Sequence, residues 1–287
     1  MSKIVITAAL SGPATKKEQN PTLPYTPEEF AEEAQKCYES GAAIVHVHGR
    51  DPNTGNPTAD LNLIRNVYEA IKAKVPKLII NLTSALGLGF TFEQRIRPIV
   101  EIKPELASLN TNTMNFSFIN RKTGQIVSDH IFENTFTMLT DFATKMKAQG
   151  TKPEIEAYDL SHIHNALLVA KQGVFAEPMH FQFVFGVAGG AQFSTEAMLT
   201  MRSSLPPGST WGTCGVGNDQ YPSIIQAALL GGHIRVGLED NVKNIRGNLA
   251  KGSYEQVEDA VKIAQMVGRD VASPDEARRI LSITGVI

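Results

Sequence analysis

The chain has 287 residues, 27 Lys plus Arg against 29 Asp plus Glu, and a formal net charge of −2. That near balance removes the electrostatic basis for nucleic acid or an anionic membrane surface as a partner. A hydrophobic content of 42% with 20% charged residues excludes a disordered chain, and no apolar run approaches the ~20 residues that span a bilayer.

The first element is a buried strand over Lys3–Leu10, apolar and β-branched, which reads better as a strand than as a signal peptide. Thr26-Pro27-Glu28-Glu29 then opens a helix, with Thr26 as cap, proline in the first turn and Glu29 placed for a capping box. Gly41 is its stop. The unit then repeats. Strands are predicted at Ala43–His48, Lys77–Leu82, Leu106–Asn110, Pro153–Ala157, His180–Phe185, Thr210–Cys214 and His233–Leu238. Helices follow near Leu61–Lys74, Phe92–Ile102, Ile131–Gln149, His162–Gly173, Thr195–Ser203, Asp219–Leu230 and Tyr254–Val267, with a last one near Pro274–Ser282. Eight strand–helix pairs imply a parallel sheet. In a chain of this length they point to a closed (β/α)8 TIM barrel, against the alternative of an open doubly wound sheet. No linker or low-complexity segment interrupts residues 1–287, so a single domain with a C-terminal helical extension is expected. Cys37 and Cys214 cannot build a disulfide framework and read as buried and inert, consistent with a reducing cytosol.

In such a barrel the chemistry collects where the strands end. His46 and His48 stand two apart on a strand, so both imidazoles share one face while Val47 points to the helix layer. Two imidazoles near the barrel mouth are the start of a metal site, although a hydrogen-bonded histidine pair would look the same. In Arg235-Val236-Gly237-Leu238-Glu239-Asp240, alternation places Arg235, Gly237 and Glu239 on one face. In a closed barrel the eighth strand lies one strand from the second, so Glu239 is a candidate third ligand. Two His and one carboxylate suit catalytic Zn²⁺ with open positions, and also non-haem Fe²⁺. The pair His162 and His164 sits at a helix start, where residues two apart diverge, and is a poor rival. Glycine-bearing loops at 87–89, 186–190 and 215–218 are candidates for holding an oxyanion or phosphate through backbone N–H groups, Gly189 and Gly190 among them.

Three stretches resemble the β-keto acid cleavage enzymes: ITAALSGPATKKEQNPTLPYTPEE at residues 6–29, GAAIVHVHGRDPNTGNPTAD at 41–60 and IRVGLEDN at 234–241. The resemblance covers essentially the whole chain. It implies a (β/α)8 barrel, a homotetramer in the cytoplasm, a bound divalent metal (normally Zn²⁺), and conversion of a β-keto acid plus acetyl-CoA into acetoacetate plus a new acyl-CoA. By that resemblance His46, His48 and Glu239 hold the metal, Arg235 and Asp240 match the family's arginine and catalytic acid, and Ser84 or Thr83 supplies a hydroxyl. Asn110 corresponds to a position near substrate or CoA, and the loop after the sixth or seventh strand is a candidate for holding part of CoA. The alternative activity is that of a CoA-independent metal-dependent lyase or hydrolase acting on a small carbonyl acid. There is one departure. The family member acting on 3-keto-5-aminohexanoate meets the substrate ammonium with an acidic residue in the first loop. Here that loop reads Gly12-Pro13-Ala14-Thr15, with no carboxylate before Glu18. An apolar or uncharged β-keto acid is therefore expected as substrate.

Overall fold

A computed structural model describes residues 2–120 and 123–284. Eight strands, β1 (Ile6–Ser11), β2 (Ile44–Val47), β3 (Ile79–Leu82), β4 (Leu106–Asn110), β5 (Lys152–Ala157), β6 (His180–Phe185), β7 (Thr210–Gly215) and β8 (His233–Val236), run parallel and close on themselves through β8 and β1. The open doubly wound alternative is thereby excluded. The helices that return the chain are α1 (Pro27–Ser40), α2 (Leu61–Lys74), α3 (Phe92–Ile102), α4 (Phe136–Ala148), α5 (Leu160–Ala170), α6 (Thr195–Ser203), α7 (Gln220–Leu230) and α8 (Ser253–Met266). No helix among the described residues is long and apolar enough to cross a membrane.

Local sequence accounts for these boundaries. The Thr26 capping box forms as expected, and Gly41 ends α1 at φ 115°. Val45 and Val47 of β2 pack outward in one cluster with Phe30 and Ala34 of α1 and Val67 and Ile71 of α2. That outward packing turns His46, between the two valines, towards the barrel interior.

The final helix, α9 (Pro274–Leu281), follows the eight strand–helix units and packs onto the barrel. Ala277 and Leu281 pack with Val5, Ala43, Ile44, Ile79 and Leu106, which lie at or just before the starts of the first four strands. The helix therefore seals the end of the barrel opposite the mouth. Arg278 ties it down through Glu105, at 2.5 and 2.9 Å.

Two expectations need correction. The helix expected from Ile131 begins only at Phe136, where Thr135 caps it by accepting from the Met138 N–H. The preceding stretch is not helical. Met114–Asn115 pairs antiparallel with Ile131–Phe132, and Phe118–Asn120 pairs with Gln125–Ser128 around Gly124 at φ 72°. These two small sheets form a ribbon that leaves the barrel after β4. Its outer side chains Ile126, Val127 and Ile131 are exposed. The last strand also stops early, at Val236 rather than Leu238, with consequences for the site described below.

At the sealed end, His233 is buried and its Nδ1 accepts from the Val5 N–H at 3.2 Å. Burial, reinforced by the neighbouring His180 and Arg269, pushes its pKa down to about 3 from 6.5. A histidine whose folded value lies below its unfolded value contributes stability above the unfolded value and loses it as pH falls towards the folded one. Between pH 6 and pH 4 this group should remove about 1.4 kcal/mol per pH unit. His233→Asn keeps an acceptor for Val5 but has nothing to protonate. Urea unfolding at pH 7 and pH 5 should show a smaller acid loss in the variant than in the wild type. Equal losses would contradict the assignment.

Candidate metal centre and active site

His46 ends the inward row of β2 and His48 follows directly after that strand. Their rings lie 5.1 Å apart at 73°, both almost wholly buried. The third member arrives by a different route from the one alternation suggests. Gly237 stands at φ 147°, and a Cβ there would overlap the carbonyl of Ala9. The chain therefore leaves β8 in a turn, in which the N–H groups of Asp240 and Asn241 donate to the Gly237 carbonyl at 3.1 and 3.0 Å. The Glu239 N–H donates to the carbonyl of Ala9 on β1, at 3.2 Å. In a continued strand Glu239 and Asp240 would face opposite ways. The turn brings both carboxylates to the interior. Gly12, at the end of β1, completes the fit, because a Cβ there would overlap Cγ of Glu239.

Glu239 Oε1 lies 3.4 Å from His48 Nε2 and 3.7 Å from His46 Nε2. One donor atom from each of the three residues can be chosen so that all lie within 4.8 Å of one another. No other such group occurs among the described residues. His46 Nδ1, His48 Nδ1 and Glu239 Oε2 are buried without any hydrogen-bond partner. Burial would push the Glu239 carboxyl up, but Arg235, His48 and His46 outweigh it and hold the group well below the usual range. A largely buried, ionised and only partly paired carboxylate beside two imidazoles is a costly arrangement unless a cation completes it. Burial lowers His46 to about 3 against the pull of Glu239, so the ring is neutral and has a lone pair to give. The donor set therefore fits a divalent cation.

Beside this group, Arg235 of β8 forks onto Asp240, Nε to Oδ2 at 2.9 Å and Nη2 to Oδ1 at 3.0 Å. Nη2 also meets Glu239 Oε1 at 2.7 Å, and Nη1 meets Glu156 Oε1 at 3.4 Å. Burial works against the Arg235 cation, but Asp240 and Glu239 keep its pKa well above the ordinary value. Burial raises the Asp240 pKa from its ordinary value against the pull of Arg235. Burial also raises Glu156, to about 7.

The remaining predicted residues separate. Thr83 Oγ1 accepts from the Ala85 N–H at 2.9 Å, a local turn contact. Ser84 Oγ is buried and has no partner, and neither does the amide of Asn110 at either atom. Gly189, at φ 104°, leaves room for the carbonyl of Asn115, and Gly190 lies against Tyr158. Their lack of side chains is thus accounted for by packing of the loop against the ribbon and against Tyr158, the residue that follows β5. His162 and His164 diverge: His162 is buried with Nδ1 3.0 Å from Asp159 Oδ1, whereas His164 is exposed. Two contributors have no role that the sequence alone assigns. Glu156 is recognisable as a polar residue at a strand end. Gly12 acts through its contact with Glu239, distant in the chain, which no local pattern reveals.

Residues 3–283 match the model of the family described as beta-keto acid cleavage enzyme. The chain is 42% identical over 283 residues to the 3-keto-5-aminohexanoate cleavage enzyme of Fusobacterium nucleatum subsp. nucleatum, covering 99% of each. It is 33% identical over 300 residues to a 3,5-dioxohexanoate:acetyl-CoA acetone transferase of Paraburkholderia graminis, covering 99% of this chain and 96% of that one. Among solved structures, ObcA in binary complex with oxaloacetate superposes with a TM-score of 0.76 at 21% identity, covering 91% of this chain and 67% of that one. That likeness speaks to the fold.

Proposed function

The chain belongs to the β-keto acid cleavage enzyme family, and on that premise we propose that it converts a β-keto acid and acetyl-CoA into acetoacetate and a new acyl-CoA. The observation that carries the site assignment is the meeting of His46, His48 and Glu239, with a partnerless buried carboxylate oxygen, beside the Arg235–Asp240 fork. In this reading His46, His48 and Glu239 hold a divalent metal, Zn²⁺ in the cell. When bound, that metal supplies Lewis-acid polarisation of the substrate's carbonyl and carboxylate oxygens.

The chain's own residues perform the proton and charge work. Asp240 takes the proton from the carbon between the two carbonyls, and its burial makes it a stronger base than an exposed aspartate. Arg235 fixes both Asp240 oxygens and offsets negative charge that develops on substrate oxygen. The resulting carbanion attacks the acetyl thioester and expels the CoA thiolate, which adds to the substrate's keto carbon; carbon–carbon cleavage then gives the new acyl-CoA and the carbanion of acetoacetate, which takes the proton back from Asp240. Ser84 Oγ has no partner of its own and is the preferred hydroxyl donor to an oxyanion. Thr83, engaged in its turn, is the weaker candidate. Asn110, with both amide atoms free, faces substrate or CoA in this reading, and the loop carrying Gly189 and Gly190 borders the CoA arm.

The first loop bears no carboxylate before Glu18, which is exposed. An apolar or uncharged β-keto acid is accordingly the proposed substrate, in contrast to the ammonium-bearing one named for the relative of 42% identity. The reading includes a homotetramer acting in the cytoplasm, where the buried, unpaired Cys37 and Cys214 would stay reduced.

The test is acetoacetate formation from a panel of β-keto acids, with and without acetyl-CoA. Product is expected only with acetyl-CoA, and with uncharged substrates turned over faster than ammonium-bearing ones. Equal cleavage without acetyl-CoA would replace this reading with that of a CoA-independent lyase or hydrolase.

A further inference from the structure

Arg50 is among the largest wholly buried side chains, 1% exposed. No carboxylate forms an ion pair with it among the described residues. Burying a guanidinium without an anion is costly, so its hydrogen bonds must be its justification. Nε donates to Ser11 Oγ at 2.9 Å. Nη1 donates to the carbonyl of Gly55 in the second βα loop. Nη2 donates to two carbonyls of the first loop, those of Gly12 and of Thr15, the latter at 2.6 Å. The Tyr25 ring lies 5.5 Å from the guanidinium carbon and packs against Gly55, and its hydroxyl accepts from the Lys17 N–H at 2.9 Å. Residues 12–17 are thus held from one side by Arg50 and Tyr25.

The other side of the same loop holds Glu239. Thr15 Oγ1 donates to the Glu239 carbonyl at 3.2 Å. Gly12 lies against the Glu239 side chain so closely that a single added carbon would collide with Cγ. The first loop is therefore a thin template between a buried cation and the carboxylate. We propose that Arg50 is a positioning residue for Glu239, acting through the carbonyls of Gly12 and Thr15 and touching neither metal nor substrate. This rests on reading Glu239 as a metal ligand. A lysine keeps the charge but lacks the planar fork, and one ammonium cannot span Ser11, Gly55, Gly12 and Thr15 in the same geometry. Residues that orient a metal ligand from behind typically contribute 10–100-fold to metal affinity.

The experiment titrates Co²⁺ into metal-free wild type, Arg50→Lys, Thr15→Val and His46→Ala, and records affinity, the visible absorption of the Co²⁺ form, kcat, KM and melting temperature. Arg50→Lys should bind Co²⁺ about tenfold or more weakly, with a shifted spectrum. Thr15→Val should move both in the same direction by less. A folded Arg50→Lys with wild-type affinity and spectrum overturns the proposal. If Arg50→Lys does not fold, Thr15→Val decides, and wild-type affinity and spectrum in it overturn the proposal equally. Should His46→Ala bind Co²⁺ like the wild type, the ligand reading itself fails and takes this inference with it, an outcome distinct from a failure of Arg50 alone.

Discussion

His46→Ala is expected to yield a folded barrel that no longer retains a divalent cation and whose kcat/KM is lower by at least about 10³-fold. The magnitude follows from the chemistry asked of the site. Lewis-acid stabilisation of charge on substrate oxygens contributes several kcal/mol, and each 1.36 kcal/mol is a factor of ten in rate. His46 is one of three donors converging on one point, and the remaining two, His48 and Glu239, cannot form a chelating set of the same strength. The fold should persist, because the ring of His46 makes no hydrogen bond through Nδ1 and its strand is held by Val45 and Val47 on the other face. Metal content by elemental analysis, circular dichroism and acetoacetate assay together check this. Full metal occupancy in the variant would remove His46 from the ligand set.

Asp240→Asn is expected to behave oppositely with respect to metal. The variant should retain the cation yet turn over about 10²–10⁴-fold more slowly, the range associated with loss of a positioned general base. Asparagine has nearly the shape of aspartate, so the Arg235 fork keeps one neutral acceptor and loses the other, whereas the turn from Gly237 to Asn241 is made by backbone groups and is unaffected. Glu239 lies one residue away and still faces the histidines. A solvent-exchange assay of the substrate's acidic carbon, run without acetyl-CoA, isolates the proton step. Wild-type exchange in Asp240→Asn would identify another group as the base, and Glu156, with its carboxyl raised to about 7 beside Arg235, would be the next to examine.

Much of this site was legible before the fold was known, though not always for the right reason. The period of two places His46 and His48 together, and the structure has them so. Glu239 was reached by assuming that β8 continues past Gly237. The strand in fact ends at Val236, and a positive-φ glycine turns the chain so that Glu239 and Asp240 both face inward. Adjacency of β8, β1 and β2 was the correct part of the argument. The ribbon at 114–132 escaped notice because its strands are only two to four residues long and mix polar with apolar side chains. Ile131 and Phe132 then read as the first apolar turn of α4. Arg50 was invisible for a different reason. Its four acceptors come from two stretches of chain, residues 11–15 and Gly55, and the first reaches Arg50 only because β1 pairs with β2 in the sheet.

The closure of the barrel by β8 against β1, with α9 sealing the far end, has a consequence for how the protein is born. His46 and His48 leave the ribosome long before Glu239 and the floor helix do. Contacts so distant in sequence form late in folding. In the proposed ligand set, a nascent chain that has reached only β2 thus carries two imidazoles without their third donor, and the set is complete only once β8 has closed on β1.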